Sequence, residues 1–349
     1  MFQTAGNHPA VCLNGEHNTA RLTGQKRGEM EYVKIPYVEK EVSKIIFGTA
    51  VGPITGGDGA FELLDAAFGM GINTFDTARV YGKSENNFGK WIAARGLRDQ
   101  INIITKGAHP LDDGIKRVSR EEIRKDVELS REALGTDFFE VYLLHRDDPD
   151  VPVGQILEIL NELHEEGAIG AFGGSNWTRE RIQEANEYAA AHGLVPMAVS
   201  SPNFGLAEQV CDVWGGGCTT VAGPDHIEDR AWYGAQNMQI IAYSSLARGV
   251  FAGMIRSDQK SQAAQIVDAI SLRGYCSDAN FERLARAEKL SAEKGCSVAQ
   301  LTLAYTIRHP EMNVFAVCTS SSPERVRSNV ESLQVKLTEE EIKWLDLRA

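Results

Sequence analysis

Short β-branched runs alternate with helix-length amphipathic segments from residue 44 to the end of the chain. The runs are KIIFG, INTFD, INIITK, FFEVYLLH, IGAFGGS, PMAVS, MQIIAYS and NVFAVC. Apolar spacing predicts helices over Gly59–Met70, Asn86–Ala94, Arg120–Leu134, Val153–Glu166 and Thr178–Ala191. A further helix falls near 262–271, followed by Phe281–Lys294, Val298–Arg308, Pro323–Leu333 and Glu339–Leu347. The stretch 205–236 is less regular. Ser119 followed by Glu122 is a capping box, and Thr178 with Glu180 marks the next helix start.

Eight strand–helix units imply parallel strands joined by crossovers with helices outside, an α/β arrangement that closes as a (β/α)8 TIM barrel. An open doubly wound sheet would carry G-x-G-x-x-G after its first strand, and Gly48, Gly52, Gly56, Gly57 and Gly59 do not form it. From Glu31 to Val42 apolar residues alternate around Pro36, as in a hairpin able to cap one end. Residues 1–29 are polar and read as a loosely ordered tail, leaving 30–349 as one barrel domain with a C-terminal helix.

Composition narrows the function. The 349 residues carry a net charge of -12, which speaks against a nucleic-acid or anionic-membrane surface. No run approaches the length needed to span a bilayer. Cysteines at 12, 211, 218, 276, 296 and 318 form no framework, and with the scattered histidines they give no metal spacing. Free thiols in a reducing, cytoplasmic compartment are the simplest reading.

The strand-like runs end in chemically useful side chains. INTFD ends in Asp76 and a compact turn then presents Tyr81 before Gly82. INIIT leads to Lys106, VYLL to His145, AFGG to Ser175-Asn176 and QIIA to Tyr243-Ser244. Barrel enzymes place their chemistry at such C-terminal strand ends.

Several ordered motifs carry a resemblance: INTFDTARVYGKSE, IITK, YLLH, GGSNW, AYSSLARG and TSSSPERVRSNV. Over about Ile45 to Leu347 the chain resembles the aldo-keto reductase family, closer to its bacterial and potassium-channel-β-like branches than to aldose reductase. The resemblance implies a (β/α)8 barrel with an N-terminal hairpin over its bottom. It also implies reversible reduction of an aldehyde or ketone to the alcohol.

Carbonyl reduction needs a hydride at carbon and a proton for the developing alkoxide. A tyrosine hydroxyl can supply the proton, and a lysine ammonium beside it favours tyrosinate. A carboxylate next to the lysine offsets that cation's desolvation. The resemblance assigns these roles to Tyr81, Lys106 and Asp76. It makes His145, as a neutral imidazole, the residue that orients the substrate oxygen. It implies that Ser175 and Asn176 hold the nicotinamide carboxamide, that Tyr243 stacks on its ring, and that Ser244, Leu246 and Arg248 line the pyrophosphate. Ser320 and Arg325 then approach the adenosine 2'-phosphate and Asn329 the adenine, so NADP(H) is favoured over NAD(H).

Some positions depart from the family pattern. Thr319 stands where many NADP-preferring members carry lysine, and Ser201 where many carry a carboxamide-binding glutamine. Arg79 replaces an acidic residue in the D-T-A-x-x-Y-G turn, where it can meet an anionic or sugar-like substrate or pair with a surface carboxylate. The stretch 211–236 is expected to wall the pocket with Trp214 or Trp232. Two other readings stay open. One is an NADP(H)-binding redox sensor or regulatory subunit; the other is a barrel enzyme using the Lys106 amine as a Schiff base.

Overall fold

The computed structural model describes residues 30–57, 60–110 and 114–348, so the expected N-terminal tail lies outside the described residues. A short antiparallel hairpin comes first, with β1 (Tyr32–Val33) paired to β2 (Val42–Ser43). The strands β3 (Ile45–Gly48), β4 (Thr74–Asp76), β5 (Asn102–Gly107), β6 (Phe139–Leu144), β7 (Ile169–Ser175), β8 (Val199–Ser201), β9 (Gln239–Ala242) and β10 (Asn313–Cys318) follow. They close a parallel barrel in sequence order, with β10 paired to β3.

Successive side chains on a strand face opposite sides, and this alternation splits the apolar residues into two cores. Ile46, Ile104, Val141, Leu143, Ala171, Val199, Ile241 and Phe315 pack together inside the barrel. Ile45, Phe47, Phe75, Ile103, Tyr142, Phe172 and Ile240 instead join the shell between strands and helices. Ile35, Val38 and Val42 belong to the inner core, so the hairpin plugs the barrel's foot.

The helices sit close to their expected bounds where capping chemistry fixes them. Ser119 accepts from the Glu122 amide at 3.4 Å to open Arg120–Leu134, and Thr178 accepts from Arg181 at 3.2 Å to open Arg179–His192. The helix expected from Gly59 is described over Ala60–Gly69, its first residue lying outside the described set. The irregular 205–236 stretch does contain a helix, Ile227–Ala235, after a 3₁₀ turn at Pro224–His226. No helix among the described residues is long and apolar enough to cross a membrane.

Buried charges fasten the C-terminal segment outside the barrel. Arg230, fully buried, donates to the carbonyls of Val221 and Gly223 at 2.9 and 2.7 Å and pairs with Glu311 at 2.7 Å. Arg348 pairs with Glu311 at 2.8 Å and with buried Asp346 at 2.7 Å. His309 lies beside them against Phe204 and Tyr305, ring centroids 5.2 and 5.3 Å away. Burial above all pushes its pKa down to about 3, so the imidazole is neutral.

Candidate active site

The inward alternation of the strands continues past the apolar core into polar residues. Two positions beyond Ile104 stands Lys106, two beyond Leu143 stands His145, and two beyond Ile241 stands Tyr243. On β7 the count runs Ala171, Gly173, Ser175, and on β8 it runs Val199, Ser201. On β4, Phe75 joins the outer shell, so Asp76 faces inward. One rule of pleat geometry therefore delivers six polar side chains to the same end of the barrel.

The turn after β4 is tied to the neighbouring strand. The Thr77 amide donates to Ile104 at 2.8 Å and the Arg79 amide to Lys106 at 2.9 Å. Tyr81 closes on Ala78 at 3.0 Å, and Gly82 at φ 59° turns the chain into the helix Ser84–Arg95. A left-handed residue is required there, which glycine supplies at least cost. The hydroxyls of Ser84, Thr77 and Thr49 then pin the helix start under the turn.

Asp76, Tyr81, Lys106 and His145 meet at the mouth. The Lys106 ammonium donates to Asp76 at 2.5 Å and to the Thr77 carbonyl at 3.0 Å, and lies 5.2 Å from the Tyr81 ring centroid. The Tyr81 and His145 rings meet edge-on, 5.7 Å apart. Burial works to lower the Lys106 pKa, but Asp76 and Tyr81 more than offset it and hold the ammonium above the usual lysine range. The expected easing of the tyrosine is only half present. Burial raises the Tyr81 pKa more than the Lys106 charge lowers it, so the phenol keeps its proton. Burial, then the charge of Lys106, pushes His145 well below its ordinary value, leaving a neutral ring.

On the other side of the mouth, Asn176 is a hub. Its amide donates to the Ser175 hydroxyl at 3.1 Å and the His145 carbonyl at 3.3 Å. Its oxygen accepts from the Tyr243 hydroxyl at 2.7 Å and the Thr219 amide at 3.3 Å. Asn176, Ser244, Ala247 and Arg248 all adopt left-handed backbone, which is costly for residues with side chains and concentrates at functional sites. Leu246 is half-buried within that loop. Arg248 donates to Ser271 at 3.4 Å, lies 3.7 Å from Asp268 and stacks 4.7 Å over Trp214.

Beyond β10, Thr319 crosses the end of β3 so closely that a Cβ at Gly48 would lie 2.4 Å from its hydroxyl. Ser322 caps the helix Pro323–Glu331 through the Arg325 amide at 3.4 Å. The Ser320 hydroxyl accepts from the Ser322 amide at 3.2 Å. Arg325 is exposed on the first turn with no ion-pair partner among the described residues, and Asn329 is buried one turn on. A part-exposed aromatic at β9, a strained donor loop and a cationic helix start fit a dinucleotide.

The aldo/keto reductase family model matches residues 44–347. The chain is 28% identical to a versiconal hemiacetal acetate reductase of Aspergillus parasiticus, over 91% of this chain and 96% of that protein. It is 26% identical to a putative voltage-gated potassium channel subunit beta of Schizosaccharomyces pombe, covering 81% and 82%. With a norsolorinic acid reductase of Emericella nidulans it shares 26% identity, over 84% and 72%. The chain belongs to the aldo/keto reductase family.

For an aldo/keto reductase, whose family works with nicotinamide cofactors on carbonyl compounds, two expectations about the mouth change. Arg79 does pair with a carboxylate, but with a buried one. It meets Glu85 at 2.6 Å, and Glu85 also accepts from Thr105 at 2.7 Å. Trp232 does not wall the mouth, because it sits in Ile227–Ala235 against Tyr233 and the outer core. Trp214 does lie near the site, held through its contact with Arg248. Two residues passed over in the sequence also join this reductase's mouth. The His109 ring stands 4.8 Å from that of His145, and the Arg146 side chain reaches Cys218. Their place in sequence, three residues after Lys106 and one after His145, was the available signal.

Proposed function

We propose that this protein reversibly reduces an aldehyde or ketone to the alcohol, with NADP(H) preferred and Tyr81 as proton donor. The observation that carries the reading is the meeting of Tyr81, Lys106, Asp76 and His145 at one end of a closed barrel. A bound nicotinamide supplies the hydride for the carbonyl carbon. As the C=O π pair moves onto oxygen, that oxygen takes the Tyr81 proton, and the phenolate left behind faces the Lys106 ammonium. Asp76 keeps Lys106 charged through each turnover, and water returns the proton to Tyr81. Neutral His145 donates a hydrogen bond that orients the carbonyl oxygen.

Asn176, Ser175 and Tyr243 are read as the carboxamide and ring supports, with Ser244, Leu246 and Arg248 along the pyrophosphate. The unpaired Arg325 with Ser320 supports a 2'-phosphate, and Asn329 the adenine. The test is NADPH and NADH oxidation in parallel with 4-nitrobenzaldehyde. Turnover favouring NADPH is expected, and an NADH preference would overturn the cofactor assignment.

Similarity to a channel β-subunit favours a second reading, a redox-sensing subunit that holds NADP(H) with little turnover. Tight NADPH binding without aldehyde reduction would select it. A Schiff base is disfavoured by the ion pair that keeps Lys106 protonated and hence non-nucleophilic.

A further inference from the structure

Arg146 follows His145 directly and is half-buried at the mouth. Its Nη1 donates to the His145 carbonyl at 2.8 Å and its Nη2 to the Cys218 sulfur at 3.5 Å. Both partners are neutral, since burial above all pushes the Cys218 thiol up to about 11. Among the described residues no carboxylate lies within ion-pairing distance of this guanidinium. The two acids that follow it in sequence are engaged elsewhere, Asp147 with Arg181 at 3.0 Å and Asp148 with Lys116 at 2.7 Å. Neighbouring arginines do have acids: Arg79 has Glu85 and Arg248 has Asp268.

The surroundings hold this cation in place. Gly215, Gly216 and Gly217 adopt φ of 90°, 110° and 73°, a fold-back that residues with side chains resist. Asp212 brackets the turn by accepting from the amides of Trp214 at 2.8 Å and Cys218 at 2.9 Å. The result sets Cys218 beside Arg146 and Gly217 against its aliphatic stem. The charge is felt at Tyr81, His145 and Tyr243, the groups proposed to hold substrate and cofactor.

We propose that Arg146 is a specificity residue that selects carbonyl substrates bearing an oxyanion, a carboxylate or a phosphate, and anchors that group beside Tyr81 and His145. A guanidinium with most of its donors unused matches either group through paired hydrogen bonds. A part-buried cation without an acid gains most from a ligand that brings one. The inference rests on the carbonyl reductase reading.

The experiment measures kcat/KM with NADPH for two matched pairs, succinic semialdehyde against butanal and glyceraldehyde 3-phosphate against glyceraldehyde. Wild type is expected to favour the anionic member of at least one pair by about 10- to 100-fold, and the favoured pair identifies the oxyanion. In Arg146→Gln that ratio should fall to near one, chiefly through KM, while Arg146→Lys should retain part of it. Should Arg146→Gln fail to fold, the wild-type ratio itself must shrink as salt rises. Equal or better use of the neutral member of both pairs by wild type overturns the proposal, as does a ratio that survives Arg146→Gln or is indifferent to salt. Those outcomes leave the reductase reading intact, whereas no turnover with any carbonyl removes that reading and this one with it.

Discussion

Two clusters of buried charge stand in this molecule, and they are built for different ends. At the mouth, Lys106 and Asp76 form a close pair beside Tyr81. Behind the C-terminal helices, Arg230, Glu311, Asp346 and Arg348 form a larger network around neutral His309. Both are costly to desolvate, so burial of charge does not by itself mark a site. The backbone separates them. Among the described residues, five of the eight non-glycine residues with positive φ, Ala108, Asn176, Ser244, Ala247 and Arg248, follow strand ends at the mouth, against Leu347 alone at the C-terminal cluster. Strain gathers at the mouth, as it does at functional sites in general, and the C-terminal cluster is spent on closure.

The sharpest way to break this comparison is Tyr81→Phe. Removing one hydroxyl at the mouth should lower carbonyl reduction by about 10³-fold, with NADPH binding retained and the urea midpoint almost unmoved. Near-normal turnover would end the assignment of Tyr81. Arg230→Met should do the reverse, costing about 3 kcal/mol of stability by leaving the Val221 and Gly223 carbonyls without their donor and Glu311 with Arg348 alone, while the folded fraction keeps its kcat. Lost turnover at unchanged stability would show that the two clusters are coupled.

The C-terminal cluster also sets a pH dependence. The unfolded His309 imidazole binds a proton below about pH 6.5, whereas the folded one resists until about pH 3. The unfolded state therefore holds more protons in that window, and stability falls as pH is lowered through it. Between pH 7 and 4.5 this residue should account for about 2–3 kcal/mol of the loss. Urea titrations of His309→Phe should show that much less acid sensitivity than wild type; an unchanged slope would place the effect on other groups. Smallest of all, Trp214→Ala should shift the substrate profile and weaken the NADPH constant two- to tenfold, on the order of one cation–π contact. A shift in the substrate profile alone would mean that the Arg248 contact is idle.

Much of this was readable from residue order. Alternation marked the eight barrel strands, and the same alternation carried the reading from Ile104 to Lys106 and from Leu143 to His145. Ser119 and Thr178 fixed helix starts because a cap is a local interaction. What escaped depends on burial or on partners distant in sequence. The helix Ile227–Ala235 hid behind the glycine-rich run before it. Arg79 looked like a surface charge because its buried partner, Glu85, opens a helix that reads as polar. Lys106 acts on Tyr81 with the expected sign, yet the larger effect is dehydration of the phenol, which residue order does not reveal. Arg146 was lost in the run His-Arg-Asp-Asp, where acids stand next to it in sequence but pair elsewhere in the fold.

The pleat that sets Lys106, His145, Ser175 and Tyr243 on one face also fixes how this protein can change over generations. Loops at the mouth can lengthen or shorten, and single positions can be exchanged, without disturbing that face. A strand has no such freedom, because deleting one residue between Ile104 and Lys106 would swing the lysine outward among the helices. Heritable variation at this mouth is therefore confined to substitutions in the strands and to insertions in the loops beyond them.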